Sequence, residues 1–271
     1  MGCYRIGQPG HLLPIDGSHA GLVRGWRDVT TIHDQGLAPA WAFMSRRRPG
    51  RVWRIGLEHS RVEEISNLHE LYVSQSAPFM LVDPWAQATN VLTLRGSLID
   101  VSGVSVVGGY DLADGGHASV AVRNDAASVE SPSSMWAGMG PVLPGRAVTA
   151  SAYIGAPWPC HVELIFLDAA QQSLGAHWSP TVTGLGRLQR VHVTATPPAG
   201  AVAAWVLINN AQVAARAALS WTTGPTAWGI GGVAQQALIT DVSDNVEIAV
   251  PDPSSHLRLM GTSFTVTEVG V

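Results

Sequence analysis

Between residues 96 and 271 the chain alternates apolar and polar side chains in short runs, and each run breaks at glycine or proline. The alternation passes through 148–154, 190–194 and 202–208, while 161–167 is more fully apolar; 217–221, 245–250 and 263–269 repeat the pattern. Pro144-Gly145, Pro197-Pro198-Ala199-Gly200 and Gly229-Ile230-Gly231-Gly232 punctuate these runs. A period of two sends successive side chains to opposite faces of a strand. Short strands joined by Gly/Pro turns, with no helical period among them, specify a β-sandwich or jelly roll.

Residues 1–95 read differently. The apolar runs 40–44 and 52–57 flank Ser45-Arg46-Arg47-Arg48-Pro49-Gly50-Arg51, which has the form of a hairpin with a Pro-Gly turn. Ser60 and Glu63 have capping-box spacing, and Val62, Ile65, Leu68 or His69, and Tyr72 fall on one helical stripe behind them. Pro78 ends that helix at or before Ala77. Phe79-Met80-Leu81-Val82 then reads as a buried strand, closed by Asp83-Pro84. The expected fold is mainly β: a small α+β N-terminal domain over 1–95, with a hairpin and one helix, followed by a β-sandwich or jelly roll over 96–271. The boundary falls at Leu94-Arg95-Gly96-Ser97, where the charge balance also changes, from ten arginines against eight acids before it to six against twelve after it.

Several function classes drop out. The net charge of −4 gives no global basic footprint for nucleic acid. No apolar run approaches the ~18 residues of a membrane span, and Met1-Gly2-Cys3-Tyr4-Arg5 leads into no apolar signal region. Ile6 stands where a myristoylation motif wants Ser or Thr. Cys3 and Cys160 form no metal or redox pair, and the ten histidines have no ligand spacing. Neither a nucleophile elbow, a zinc-protease helix, a P-loop nor a dinucleotide loop is present. The chain is therefore expected to be no enzyme and to need no cofactor or metal.

Two features stand out. Arg46, Arg47, Arg48, Arg51 and Arg54 put five guanidinium groups within nine residues. Such a cluster suits a solvated turn that blunts an edge strand, or an arm that docks on an acidic neighbour or another copy. Every basic residue being arginine, any anion contact uses the planar fork. The second feature is ten tryptophans against four Phe and four Tyr. Parity sets Trp205 opposite Val202, Val206 and Ile208, Tyr153 opposite Val148 and Ile154, His192 opposite its valine neighbours, and Glu163 opposite Val162, Leu164 and Phe166. If these strands share a sheet, Tyr153, Glu163, His192 and Trp205 form one outward face, either a glycan groove or the half-solvated face common to antiparallel sheets.

The runs 142–153, 162–169 and 191–201, the Gly229–Gly232 turn and the ending 263–270 resemble the carbohydrate-binding-module-like jelly rolls of minor tail proteins in siphophages of actinobacteria. The segments 51–55, 78–86 and 90–92 and the capped helix resemble the N-terminal region of the distal tail protein. That resemblance implies a structural, virion-borne protein of the tail tip, assembled in the host cytoplasm. Its partners would be copies of itself in a cyclic ring of six, the neighbouring tail tube, tape measure and tail-tip hub, and a host cell-wall glycan. The competing reading is a carbohydrate-binding module or lectin with no role in tail assembly. A glycoside hydrolase is a third, with no acid/base pair standing out for it.

Overall fold

One strand organises half of the molecule. In the computed structural model, which describes residues 4–15, 18–27, 33–34, 39–40, 50–74, 79–100, 103–249 and 258–269, the segment Val148–Leu167 runs as a single strand. In chain order the strands are Tyr4–Gln8 (β1), His11–Ile15 (β2), Ser18–Arg27 (β3), His33–Asp34 (β4), Pro39–Ala40 (β5), Gly50–Arg61 (β6) and Phe79–Val82 (β7). Then come Ser105–Val107 (β8), Tyr110–Asp111 (β9), His117–Ala118 (β10), Ala121–Arg123 (β11), Ser134–Pro141 (β12) and Val148–Leu167 (β13). Ser173–Trp178 (β14), Val182–Ala195 (β15), Ala203–Asn209 (β16), Val213–Ser220 (β17), Ala234–Ala249 (β18) and Arg258–Glu268 (β19) complete the set. Helices are α1 (Val62–Ser74), α2 (Pro84–Thr89) and α3 (Leu94–Ser97).

The chain is mainly β, with a β-sandwich at its centre. The first half of β13 pairs with β15 and β17, and its second half with β14 and β16. The change of partner falls where the register shifts between Ile154 and Cys160, a stretch that includes Pro157 and Pro159. Proline cannot donate to a ladder, so both sit at the bulge that lets the strand leave one sheet for the other. Even-numbered residues of both halves, from Val148 to Phe166, enter one core with Val206, Ile208 and Leu219.

A seven-stranded sheet outside the sandwich has the order β2-β1-β7-β18-β19-β6-β3. Its last two strands by sequence, β18 and β19, come from the far end of the chain. The division into 1–95 and 96–271 is thus corrected: the second segment gives two strands to the first sheet, and the sandwich lies between the halves of that sheet in sequence. The expected hairpin of 40–44 with 52–57 also gives way. Both edges of β6 over 52–57 are occupied, by β3 on one side and β19 on the other, and residues 41–49 lie outside the described residues.

The predicted helix is α1, with Glu63 and Glu64 in its first turn, where acids complement the dipole. Ile65 and Leu68 are buried, whereas Tyr72 is partly exposed. The predicted strand is β7, and it couples the two bodies: Phe79 and Leu81 enter the core beside Trp53, Ile55 and Phe264, while Met80 and Val82 enter the sandwich core. Asp83 then caps α2, its Oδ1 accepting from Ala86 N at 2.8 Å with Pro84 in the first turn.

Candidate functional site

The outer face of the ladder β12-β16-β13-β14 carries an aligned row of side chains. Trp136 lies opposite Leu207, Leu207 opposite Glu163, and Glu163 opposite Trp178. Directly opposed residues share a face, so two indoles flank a carboxylate across three strand spacings, about 14 Å. Trp136 is 46% exposed and Trp178 61%. Large apolar side chains clustered at that exposure mark an interaction surface more often than isolated ones do.

Trp205 is the next outward residue of β16, half-buried and opposite Met139 and Ile165. A bulge between Trp136 and Gly138 turns the two rings together, with centroids 4.5 Å apart and planes tilted by 52°. The carboxylate is held from the side. Asn209 Nδ2 donates to Glu163 Oε2 at 2.6 Å and lies 3.3 Å from His161 Nε2, while Ser134 Oγ donates to Asn209 Oδ1. One Glu163 oxygen is thereby fixed and the other stays available to an outside donor. Indole faces stack on the C–H faces of a sugar ring, and a fixed carboxylate accepts from its hydroxyls. The groups stand on paired strands, so little ordering remains to be done on binding.

The four residues expected on one face divide between two. Glu163 and Trp205 are on the face just described. Tyr153 and His192 belong to the ladder formed by the first half of β13, where Ser151 lies opposite His192 and Tyr153 opposite Arg190. His192 is exposed there. Tyr153 points outward as its parity requires, yet the segment carrying β9 and β10 covers it, and it packs with Leu112, Ala118 and Leu188. Its hydroxyl donates to Asp114 Oδ2 at 2.5 Å, and Arg190 stacks 5.6 Å above its ring. Burial, then the Asp114 carboxylate, raise the Tyr153 hydroxyl above the usual tyrosine range, and the same bond lowers Asp114. Sequence reading missed Trp136 and Trp178, though outward parity within 134–136 and a tryptophan before Ser179-Pro180 were available signals.

The arginine cluster is also divided. Arg46, Arg47 and Arg48 lie outside the described residues, and Arg54 is exposed on β6. Arg51 is buried rather than offered to a partner. Its Nε and Nη2 donate to the two oxygens of Glu268 at 2.8 and 2.9 Å, Nη2 also reaches Val233 O at 2.6 Å, and Nη1 donates to Gly231 O. The guanidinium lies 5.0 Å from the Trp53 ring centre. It clamps β6 to β19 and to the turn before β18. Among the described residues, no helix is long and apolar enough to cross a membrane.

No protein-family model and no curated protein matches the sequence. Among solved structures, the chain is similar to the enzymatically active domain of tailspike protein 4 from bacteriophage CBA120, at 10% identity and a TM-score of 0.36. That match covers 52% of this chain and 22% of the tailspike domain. It is similar to the CBM22-1–GH10 modules of Clostridium thermocellum xylanase 10B, at 12% identity and a TM-score of 0.30, over 44% of this chain and 26% of that one. A structure described as a CBM4 matches at 13% identity and a TM-score of 0.28, over 52% of this chain and 99% of that one. The strand ladders themselves identify the chain as a mainly β protein built around a β-sandwich.

Proposed function

We propose that this chain is a structural, non-enzymatic component of a phage tail tip, and that its sandwich holds a host cell-wall glycan on the face of Trp136, Trp205, Glu163 and Trp178. The observation that carries the glycan reading is the row in which two exposed indoles flank an oriented carboxylate on a rigid ladder. The tail-tip reading is supported by the resemblance of the sequence segments to minor and distal tail proteins. It brings with it a cyclic ring of six copies, contacts with the tail tube, tape measure and tail-tip hub, and a place in the virion. Monovalent affinity for a shallow face of this kind is weak, and six copies on one ring turn it into avid attachment.

The test uses the full chain. Trp136→Ala and Trp178→Ala should each lower adsorption to purified host cell walls by at least tenfold, and unchanged adsorption of both variants removes this face. Native mass spectrometry decides the assembly: a closed six-fold species supports the tail-tip role. A protein that stays monomeric at high concentration and still binds cell walls is instead a carbohydrate-binding module without a role in tail assembly.

A further inference from the structure

Beside Trp136 the glycan face runs into a cavity of about 570 Å³, within the range of small-ligand sites. Local backbone geometry builds it. A Cβ on Gly96 would come within 2.4 Å of Ala137 O, so only glycine lets α3 lie directly against β12. That approach brings Arg95, the preceding residue, to the same edge as Trp136. Arg95 Nε donates to Asp100 Oδ2 at 3.3 Å, which orients the guanidinium and leaves both Nη groups without a partner among the described residues.

Asn124 supplies an independent observation. The residue is only 3% exposed and lines the cavity. Its Oδ1 accepts from Ala126 N at 3.2 Å, while Nδ2 has no acceptor among the described residues. The residue is otherwise buried, so this donor opens onto the cavity, where an acceptor from outside the protein can reach it. Val104 and Ala126 add an apolar wall.

Resting on the glycan-face reading above, we infer that this cavity takes the acetamido group of a 2-acetamido sugar whose ring stacks on Trp136. The group presents three things at once, and the cavity has a counterpart for each. Its carbonyl oxygen accepts from an Arg95 Nη and from Asn124 Nδ2. Its N–H donates to Asp100. Its methyl lies on Val104 and Ala126. A carboxylate or phosphate fits less well, because Asp100 already neutralises Arg95. A plain hydroxyl leaves the apolar wall unused.

Chitotriose and cellotriose share a β-1,4 backbone and differ at C2, acetamido against hydroxyl, so their comparison isolates this group. Titration of the full chain by NMR should show chitotriose binding at least tenfold more tightly, with shifts at the Arg95 Nε–H and the Trp136 indole N–H. Arg95→Gln alters an exposed side chain, and Asn124→Asp keeps the acceptor for Ala126 N. Each should bring the preference below threefold. Equal binding of the two trisaccharides by the unaltered protein, within twofold, overturns the acetamido pocket and leaves the indole platform standing. Binding of neither overturns the platform and the pocket together. A preference that survives both substitutions overturns the assignment to Arg95 and Asn124.

Discussion

Replacing Asn90 by alanine should destabilise the fold by about 4 kcal/mol, and the figure follows from four hydrogen bonds. Asn90 ends α2 and is fully buried. Its Nδ2 donates to Ala217 O at 2.9 Å and to Gly229 O at 3.0 Å, and its Oδ1 accepts from Leu92 N and Leu219 N, both at 3.1 Å. Both amide donors and both acceptor positions are thus in use. The side chain ties α2 to β17 and to the glycine turn before β18. Removing it leaves backbone groups unsatisfied, at about 1–3 kcal/mol each, which summed naively is about 4–12. The groups are neighbours and do not add independently. Ala217 O also keeps Trp228 Nε1 as a donor at 3.1 Å. These two discounts favour the low end of the range.

For a chain of this size about 4 kcal/mol corresponds to a Tm lower by about 10 °C. Scanning calorimetry and urea unfolding followed by tryptophan fluorescence measure both quantities. Asn90→Asp is the control on mechanism. It keeps the acceptor for the two N–H groups but sets a carboxylate against two carbonyls, so at neutral pH it should be at least as harmful as alanine. A loss below about 1 kcal/mol for Asn90→Ala, or aspartate tolerated better than alanine, would refute this account.

Other outcomes follow from buried groups. Arg51→Met strands the buried Glu268 carboxylate and two carbonyls, so urea unfolding should show a loss of about 3–5 kcal/mol. Burial, then the bond to Asp114, raises Tyr153, and that bond lowers Asp114. The Asp114 contribution is present above the ordinary aspartate range and lost as pH falls through its lowered value. That of Tyr153 is present below the ordinary tyrosine range and lost as pH rises through its raised value. The stability difference between wild type and Tyr153→Phe should therefore be widest at neutral pH and narrow at both extremes. Burial pushes the Cys160 thiol up to about 11. In a Cys3→Ser background, a disulfide reagent at pH 8 should label it about 100-fold more slowly than a free thiol, until denaturant is added.

Local pattern gave the strands of the sandwich but not their partners. The runs 148–154 and 161–167 read as two strands because Pro157 and Pro159 between them look like a break. Here the prolines occupy the bulge at which one strand passes from ladder to ladder. The runs 245–250 and 263–269 read correctly as strands, and nothing in a period of two says that they return to pair beside β6 and β7. Parity assigns a face, whereas ladder membership depends on contacts distant in sequence. Parity groups Tyr153 and Glu163, both odd-numbered outward residues of β13, which stand on different ladders. The same rule placed Glu163 and Trp205 together correctly, because β13 and β16 pair over 161–167.

Trp136 escaped the pattern because glycine interrupts its strand, and that interruption explains why the site is open. β12 lies at the end of its ladder, and an exposed apolar edge invites pairing with another chain. Two glycines resolve the conflict. Gly138, at φ +108, forms the bulge that tilts Trp136 onto Trp205. Gly96 lets α3 cover the edge without a side chain in between. The edge is thereby closed to a further strand while the indole face stays in solvent, and the same contact brings Arg95 to the wall of the neighbouring cavity. A Gly96→Ala substitution pushes α3 away from β12, so it should loosen the edge and displace Arg95 together. Edge protection and the placement of Arg95 beside Trp136 are here one geometric feature.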